Sequence, residues 1–285
     1  MTAAGAADRG RSGAVAALVT ACHPGPTAVV TAMAVALAVG VGRGPVGALA
    51  VGAAVLAGQL TIGWANDAVD ASRDRAAGRT DKPVARGDVS ATTVGRAAWV
   101  SGVACVPLSY LSGPAAGSVH LVVVASGLAY DLRLKATWWS WAPYAVAFGL
   151  LPGFVTLGLP EPAWPASWVT LTAALLGVGA HFVNTLPDLA DDLSQGVRGL
   201  PQRVGAPWSR RIAAALLLVA TATLAVGPAG PPGRAAWSLV ALGVVVIAAA
   251  LAWPWPRGSR APFHLVASLA LVDVLVLVGQ AAHLT

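Results

Sequence analysis

Apolar runs about as long as a bilayer is thick recur from one end of this chain to the other, far more than a single core or a leader-plus-anchor can absorb. Nine such stretches stand near 14–40, 46–66, 92–112, 117–132, 138–159, 167–188, 210–227, 235–254 and 263–283. Only 11% of the residues are charged and 56% are hydrophobic, whereas a soluble domain carries roughly 25% charged residues. The reading is an all-α, polytopic membrane protein with nine transmembrane helices. Placing the N-terminus inside puts all 18 Lys and Arg residues except Arg43 and Arg234 on one side, a strong positive-inside bias. An even number of crossings destroys that pattern.

The same distribution accounts for the net charge of +6. It suits anionic headgroups, and no basic stripe is interleaved with stacking aromatics, so nucleic acid is not an expected partner. Cys22 and Cys105 fall inside spans and read as packed thiols, not as a disulfide. Residues 1–12 are polar and small and read as a disordered tail, leaving 13–285 as one transmembrane domain. The Ala/Gly/Arg-rich, Lys-poor composition suggests a GC-rich bacterial genome, hence a bacterial inner membrane with the N-terminus in the cytoplasm.

Two acidic clusters close two of the spans. The first runs Asn66-Asp67-Ala68-Val69-Asp70-Ala71-Ser72-Arg73-Asp74, the second Asn184-Thr185-Leu186-Pro187-Asp188-Leu189-Ala190-Asp191-Asp192. In each, an Asn and two Asp recur at i, i+4 and i+8, so helices continued past the hydrocarbon present all three on one face. Acids beside hydrocarbon are costly and mark function. One such cluster is readily a solvated helix cap; two of identical spacing on the same side suggest a bipartite cation site. Asn66, Asp67, Asp70, Asp74, Asn184, Asp188, Asp191 and Asp192 are its candidate ligands, with Asp67 and Asp191 off the main stripes.

Oxygen ligands without His or Cys in the first stripe favour Mg²⁺ over zinc. Facing carboxylates need cations and a polyanion to offset their repulsion, and a pyrophosphate fits. The two lysines of the chain, Lys82 and Lys135, both lie in inner loops beside the clusters and suit phosphate as compact charges. Arg73, Arg79, Arg133, Arg198 and Arg203 are further phosphate candidates. His181, one turn before Asn184, and Gln59, two turns before Asn66, could contact substrate, although an interhelical hydrogen bond suits each.

Asn66-Asp67-x-x-Asp70-x-x-x-Asp74 resembles the first signature of the UbiA superfamily of intramembrane prenyltransferases, and Asn184-x-x-x-Asp188-x-x-x-Asp192 resembles the second. Arg79-Thr80-Asp81-Lys82-Pro83 and Tyr130-Asp131-Leu132-Arg133-Leu134-Lys135 are similar to the segments that follow in that family. The resemblance implies a bundle around a central cavity capped by inner-side loops. It also implies a Mg²⁺-dependent enzyme that moves an isoprenyl group from an isoprenyl pyrophosphate to an aromatic, quinone-precursor or lipid acceptor. Asp70 and Asp188 then become the central catalytic ligands, while Lys82, Lys135 and Arg133 hold phosphate and Tyr130 orients it. Where many aromatic-acceptor members carry Arg-Pro, this chain has Cys22-His23-Pro24, and neutral His23 would bind an acidic acceptor poorly. A UbiA-type terpene cyclase, ionising the donor without an acceptor, is the alternative. A cation transporter is a more distant one, because transporter sites usually sit near the bilayer midplane.

Overall fold

Proline opens half of the helices. The structure is a computed structural model that describes residues 13–252 and 261–281. In it α1 spans Gly13–Ala21, α2 Pro24–Gly40, α3 Pro45–Ala76, α4 Pro83–Arg86, α5 Ala91–Tyr110 and α6 Pro114–Leu132. After a 3₁₀ turn at Leu134–Ala136 come α7 Ala142–Thr156, α8 Ser167–Thr185, α9 Leu189–Ser194, α10 Leu200–Val226, α11 Arg234–Ala252 and α12 Ala261–Gly279. Pro24, Pro45, Pro83, Pro114, Pro143 and Pro201 occupy first turns, where no N–H is needed and the fixed φ suits a helix. Ser90 caps α5 instead, accepting from the Thr93 N–H at 3.0 Å.

All nine apolar stretches are helical among the described residues, and none of those residues forms a strand. Five helices are long and apolar enough to cross a membrane by length and composition alone, or six if the bent α1–α2 pair is one span. Those criteria support fewer crossings than nine. The tail expected at 1–12 lies outside the described residues.

Three expected straight runs are interrupted. The first stretch bends by 62° between α1 and α2, at His23, whose φ of 54° is left-handed. Gly63 permits that bend to seat on α3, because a Cβ there would meet the Cys22 carbonyl oxygen at 2.5 Å. Within α10, Gly205 turns to φ 79° just before Pro207, so the membrane run starts beyond a kink.

The third interruption corrects the expectation that one helix carries the whole second cluster. α8 stops at Thr185, Leu186–Asp188 turn, and Asp188 is the N-cap of the separate, six-residue α9. Pro187 has no N–H for the Val183 carbonyl, and its ring excludes that carbonyl from helical register. The Leu186 N–H takes the Val183 oxygen instead, at 3.3 Å.

Packing forms a ring. α3 lies against α2 and α5, α6 against α7, α7 against α8, α8 against α10, and α12 bridges α10 back to α2. Small side chains bring α3 and α5 close: Ser101 Oγ donates to the Ala57 carbonyl at 2.9 Å, and buried Cys105 sits 3.8 Å from the Ala54 oxygen. Both cysteines are free, as expected. Large apolar side chains such as Val46, Leu49, Trp99 and Val245 face outward, the arrangement a hydrocarbon solvent requires. Asp273 on α12 is fully buried and takes the Thr221 hydroxyl at 2.8 Å.

Candidate active site

The C-terminal ends of α3, α6 and α8 meet at one end of the ring with the start of α2, and a polar pocket of about 530 Å³ opens there. Its walls carry Asn66, Asp70 and Asp74 from α3 and Asn184, Asp188 and Asp192 from the α8–α9 corner. Asp70 and Asp188 therefore share one cavity.

On the α3 side the carboxylates are tightly paired. Lys135 Nζ donates to both Asp70 oxygens at 2.7 Å, and Arg73 pairs with the same carboxylate. Asp67 points away from the pocket and is 1% exposed; Lys82 Nζ reaches it at 2.5 Å and His23 Nε2 at 3.0 Å. Its second oxygen is buried without a partner. Lys82, Lys135, Arg73 and His23 all line the pocket. So the two lysines stand in the pocket wall, each held by an acid of α3.

The α8–α9 side is looser. Asp188 is 46% exposed, with Arg79 at 3.5 Å. Arg79 is itself forked onto Asp81 by two bonds of 2.8 Å, which raises the guanidinium pKa and depresses the Asp81 carboxyl to about 2. Asp192 accepts from Gln202 at 2.8 Å, yet burial outweighs that bond and raises its carboxyl above the ordinary range. Among the described residues no three His, Cys, Asp or Glu side chains are gathered closely enough to hold a metal by themselves. Asp70 and Asp188 lean on cations instead, and Asp192 on an amide.

Beneath the pocket lies a chamber of about 320 Å³, lined from α2, α3, α6 and α7 by residues such as Val30, Val55, Ile62, Val124, Phe148 and Leu151. His23, Pro26, Asn66, Tyr130, Tyr144 and Asn184 border both spaces. The polar mouth and the apolar interior are thus one continuous recess. Along α3 the chamber runs from Asn66 to Val55, roughly 16 Å at about 1.5 Å per residue. Tyr130 meets Tyr144 edge-on at the seam, with ring centroids 5.1 Å apart.

Other expected residues lie elsewhere. Gln59 lines the chamber but not the mouth. His181 is 1% exposed and pairs with Ser140, in the turn before α7, at 3.0 Å, a helix-to-turn bond in place of the interhelical one the sequence allowed. Asp191, Arg133 and Arg198 are exposed and outside the pocket wall. Tyr144, Gln202 and Asp131 were missed. A lone Tyr or Gln in an apolar or loop segment gives no signal, but an acid in the last turn of an apolar helix does, and Asp131 was passed over as part of a longer motif.

This architecture has relatives. A structure of digeranylgeranylglyceryl phosphate synthase has a TM-score of 0.69 at 15% identity, covering 95% of this chain and 99% of that one. A UbiA homologue from Archaeoglobus fulgidus, bound to GPP and Mg²⁺, has a TM-score of 0.62 at 12% identity, covering 93% and 99%. At these identities the likeness is one of fold. The 33 kDa chain of bacteriochlorophyll synthase from Cereibacter sphaeroides is 27% identical over 180 residues, 58% of this chain and 58% of that protein. The match therefore spans less than two thirds of that relative. The model of the UbiA prenyltransferase family matches residues 27–271, a stretch that holds both acidic corners, both lysines and the chamber between them, and the chain belongs to that family.

Proposed function

We propose that this protein transfers an isoprenyl group from an isoprenyl diphosphate to a hydrophobic acceptor inside the membrane, in a Mg²⁺-dependent reaction. The observation that carries this reading is the continuity of a polar, cation-rich mouth with an apolar chamber. A diphosphate head and an isoprenoid tail are the two halves of one molecule that such a recess fits. The donor set suits Mg²⁺, which joins one or two carboxylates to substrate phosphates and needs no cage of three. Asp70 and Asp74 with Asn66 on one wall, and Asp188 and Asp192 on the other, would hold it. The bound Archaeoglobus homologue supports the same pairing of ligands.

On this reading Lys135, Lys82, Arg73 and Arg79 let go of their carboxylates and bind phosphate oxygens. When bound, Mg²⁺ supplies charge that stabilises the departing diphosphate. The C1–O bond of the donor breaks, its electron pair leaves with the diphosphate, and the allylic cation is captured by the acceptor, which then loses a proton. Tyr130 and Tyr144 put π density at the seam where the cation forms. The apolar walls keep out water that would trap it. Arg203 over Trp138 at 4.7 Å and Arg211 over Trp208 at 5.0 Å form an interfacial girdle on the basic side. Together with the charge bias they support a site on the cytoplasmic face of a bacterial inner membrane.

Purified protein incubated with Mg²⁺, isoprenyl diphosphates of different lengths and candidate acceptors should release diphosphate and give a prenylated product by mass. EDTA should stop the reaction and excess Mg²⁺ restore it. No diphosphate release from any donor overturns the proposal; a product from donor and Mg²⁺ alone identifies a cyclase instead.

A further inference from the structure

Asp131 stands at the inner edge of the diphosphate machinery. It sits in the last turn of α6, 3% exposed, and borders the apolar chamber but not the polar mouth. Asn66 Nδ2 donates to its Oδ1 at 2.9 Å. Its Oδ2 is buried with no partner. A carboxylate oxygen left without a donor in such a wall is costly, and an isoprenyl tail has no donor to offer. Whatever completes this group must bring an O–H or N–H into the chamber. Farther in, His120 faces the same space from α6, its Nδ1 tied to Ser109 at 2.7 Å, and Gln59 faces it from α3. The recess therefore has polar atoms at intervals along a wall that is otherwise apolar.

We infer that Asp131 selects the acceptor: its free oxygen takes a hydrogen bond from a neutral, hydroxyl- or amine-bearing hydrophobic molecule and turns away carboxylates. This deepens the prenyl-transfer reading and rests on it. The bond to Asn66 fixes the Asp131 side chain, so the free oxygen has a set direction. The site lies within one side chain of the proposed cation ligands, which puts the bound hydroxyl or amine next to the reacting end of the donor.

The test measures binding of 1-naphthol, 1-methoxynaphthalene and 1-naphthoate to the full chain in detergent, with and without geranyl diphosphate and Mg²⁺. The naphthol should bind about tenfold more tightly than either analogue, the effect of one charge-assisted hydrogen bond. Asp131→Asn keeps an oxygen for Asn66 and turns an NH₂ group to the chamber. In that variant the preference for naphthol over its methyl ether should fall below threefold while naphthoate gains. Equal binding of the naphthol and its ether to the unmodified protein overturns the inference, as does an unchanged preference in the variant. If Asp131→Asn weakens geranyl diphosphate as much as naphthol, the residue merely braces Asn66 and the inference also fails. Failure of geranyl diphosphate to bind the unmodified protein sinks the prenyl-transfer reading instead, because the naphthol preference is read without donor as well.

Discussion

On α3, Asn66, Asp70 and Asp74 ride one uninterrupted helix of 32 residues, and Asn66, Asp67 and Asp70 are locked by neighbours from three other segments. Their counterparts at the α8–α9 corner have the same spacing in sequence, but a proline breaks the helix under them, and Asp188 stands half open to solvent. One wall is preorganised and charge-balanced; the other is a short, loosely held segment. A site that must admit a charged head and then enclose it benefits from that asymmetry. On the prenyl-transfer reading the fixed wall would set the position of the reacting carbon, and the looser wall could close over the diphosphate without disturbing the bundle.

The largest expected effects come from removing one acid on each wall. Asp70→Ala should lower diphosphate release about a thousandfold, since Lys135 and Arg73 lose their shared partner together with a cation ligand. It should also lower the melting temperature by several degrees, as Lys135 is left partly buried and unpaired. Asp188→Ala should cost turnover to a similar extent with the melting temperature unchanged. Equal destabilisation by the two variants would erase the distinction between the walls. A smaller effect is expected for Pro187→Ala, which restores the missing N–H and lets α8 run on into α9. Turnover should fall about tenfold through misplaced Asp188 and Asp192, with the midpoint for Mg²⁺ activation shifted upward and the α3 wall intact; turnover at the original level would mean the break is incidental.

The smallest concerns the exposed Arg79–Asp81 fork. Its folded carboxyl pKa lies at about 2, below the ordinary 3.8, so the stability it adds is present above pH 3.8 and lost as pH falls through about 2. Asp81 is 61% exposed, and screening limits the contribution to about 0.5 kcal/mol. Asp81→Ala should therefore shift the melting temperature by no more than a degree or two at pH 7, and by progressively less as pH falls through about 2.

The α3 wall was legible because an unbroken helix turns sequence spacing directly into a shared face. Asn66, Asp70 and Asp74 needed nothing beyond the period of 3.6 residues. The other wall was legible as chemistry and not as geometry: Asn184, Asp188 and Asp192 do reach the pocket, but by way of a turn at Pro187 that the 4-4 spacing conceals. Lys82 and Lys135 stood out because the chain is otherwise furnished with arginine. Their partners did not, since pairing Lys82 with Asp67 and Lys135 with Asp70 depends on loops returning to α3. The bend at His23 was hidden inside a continuous apolar run, with Pro24 and Pro26 as its only trace. Asp131 shows a different limit. Its neighbours Tyr130 and Lys135 drew the attention, and only burial and an orphaned oxygen distinguish it from a helix-end acid.

The helices flanking the recess are short. α2 has 17 residues and α7 has 15, so they rise only about 25 and 22 Å, less than the roughly 30 Å of hydrocarbon in a typical bilayer. Both begin at the acidic end of the ring, and there the shortfall accommodates the mouth. On the prenyl-transfer reading, that would sink the entrance beneath the headgroups, with lipid at its sides. On that same reading greasy donors and acceptors would slide in laterally from the leaflet, and only the spent diphosphate would depart upward into water.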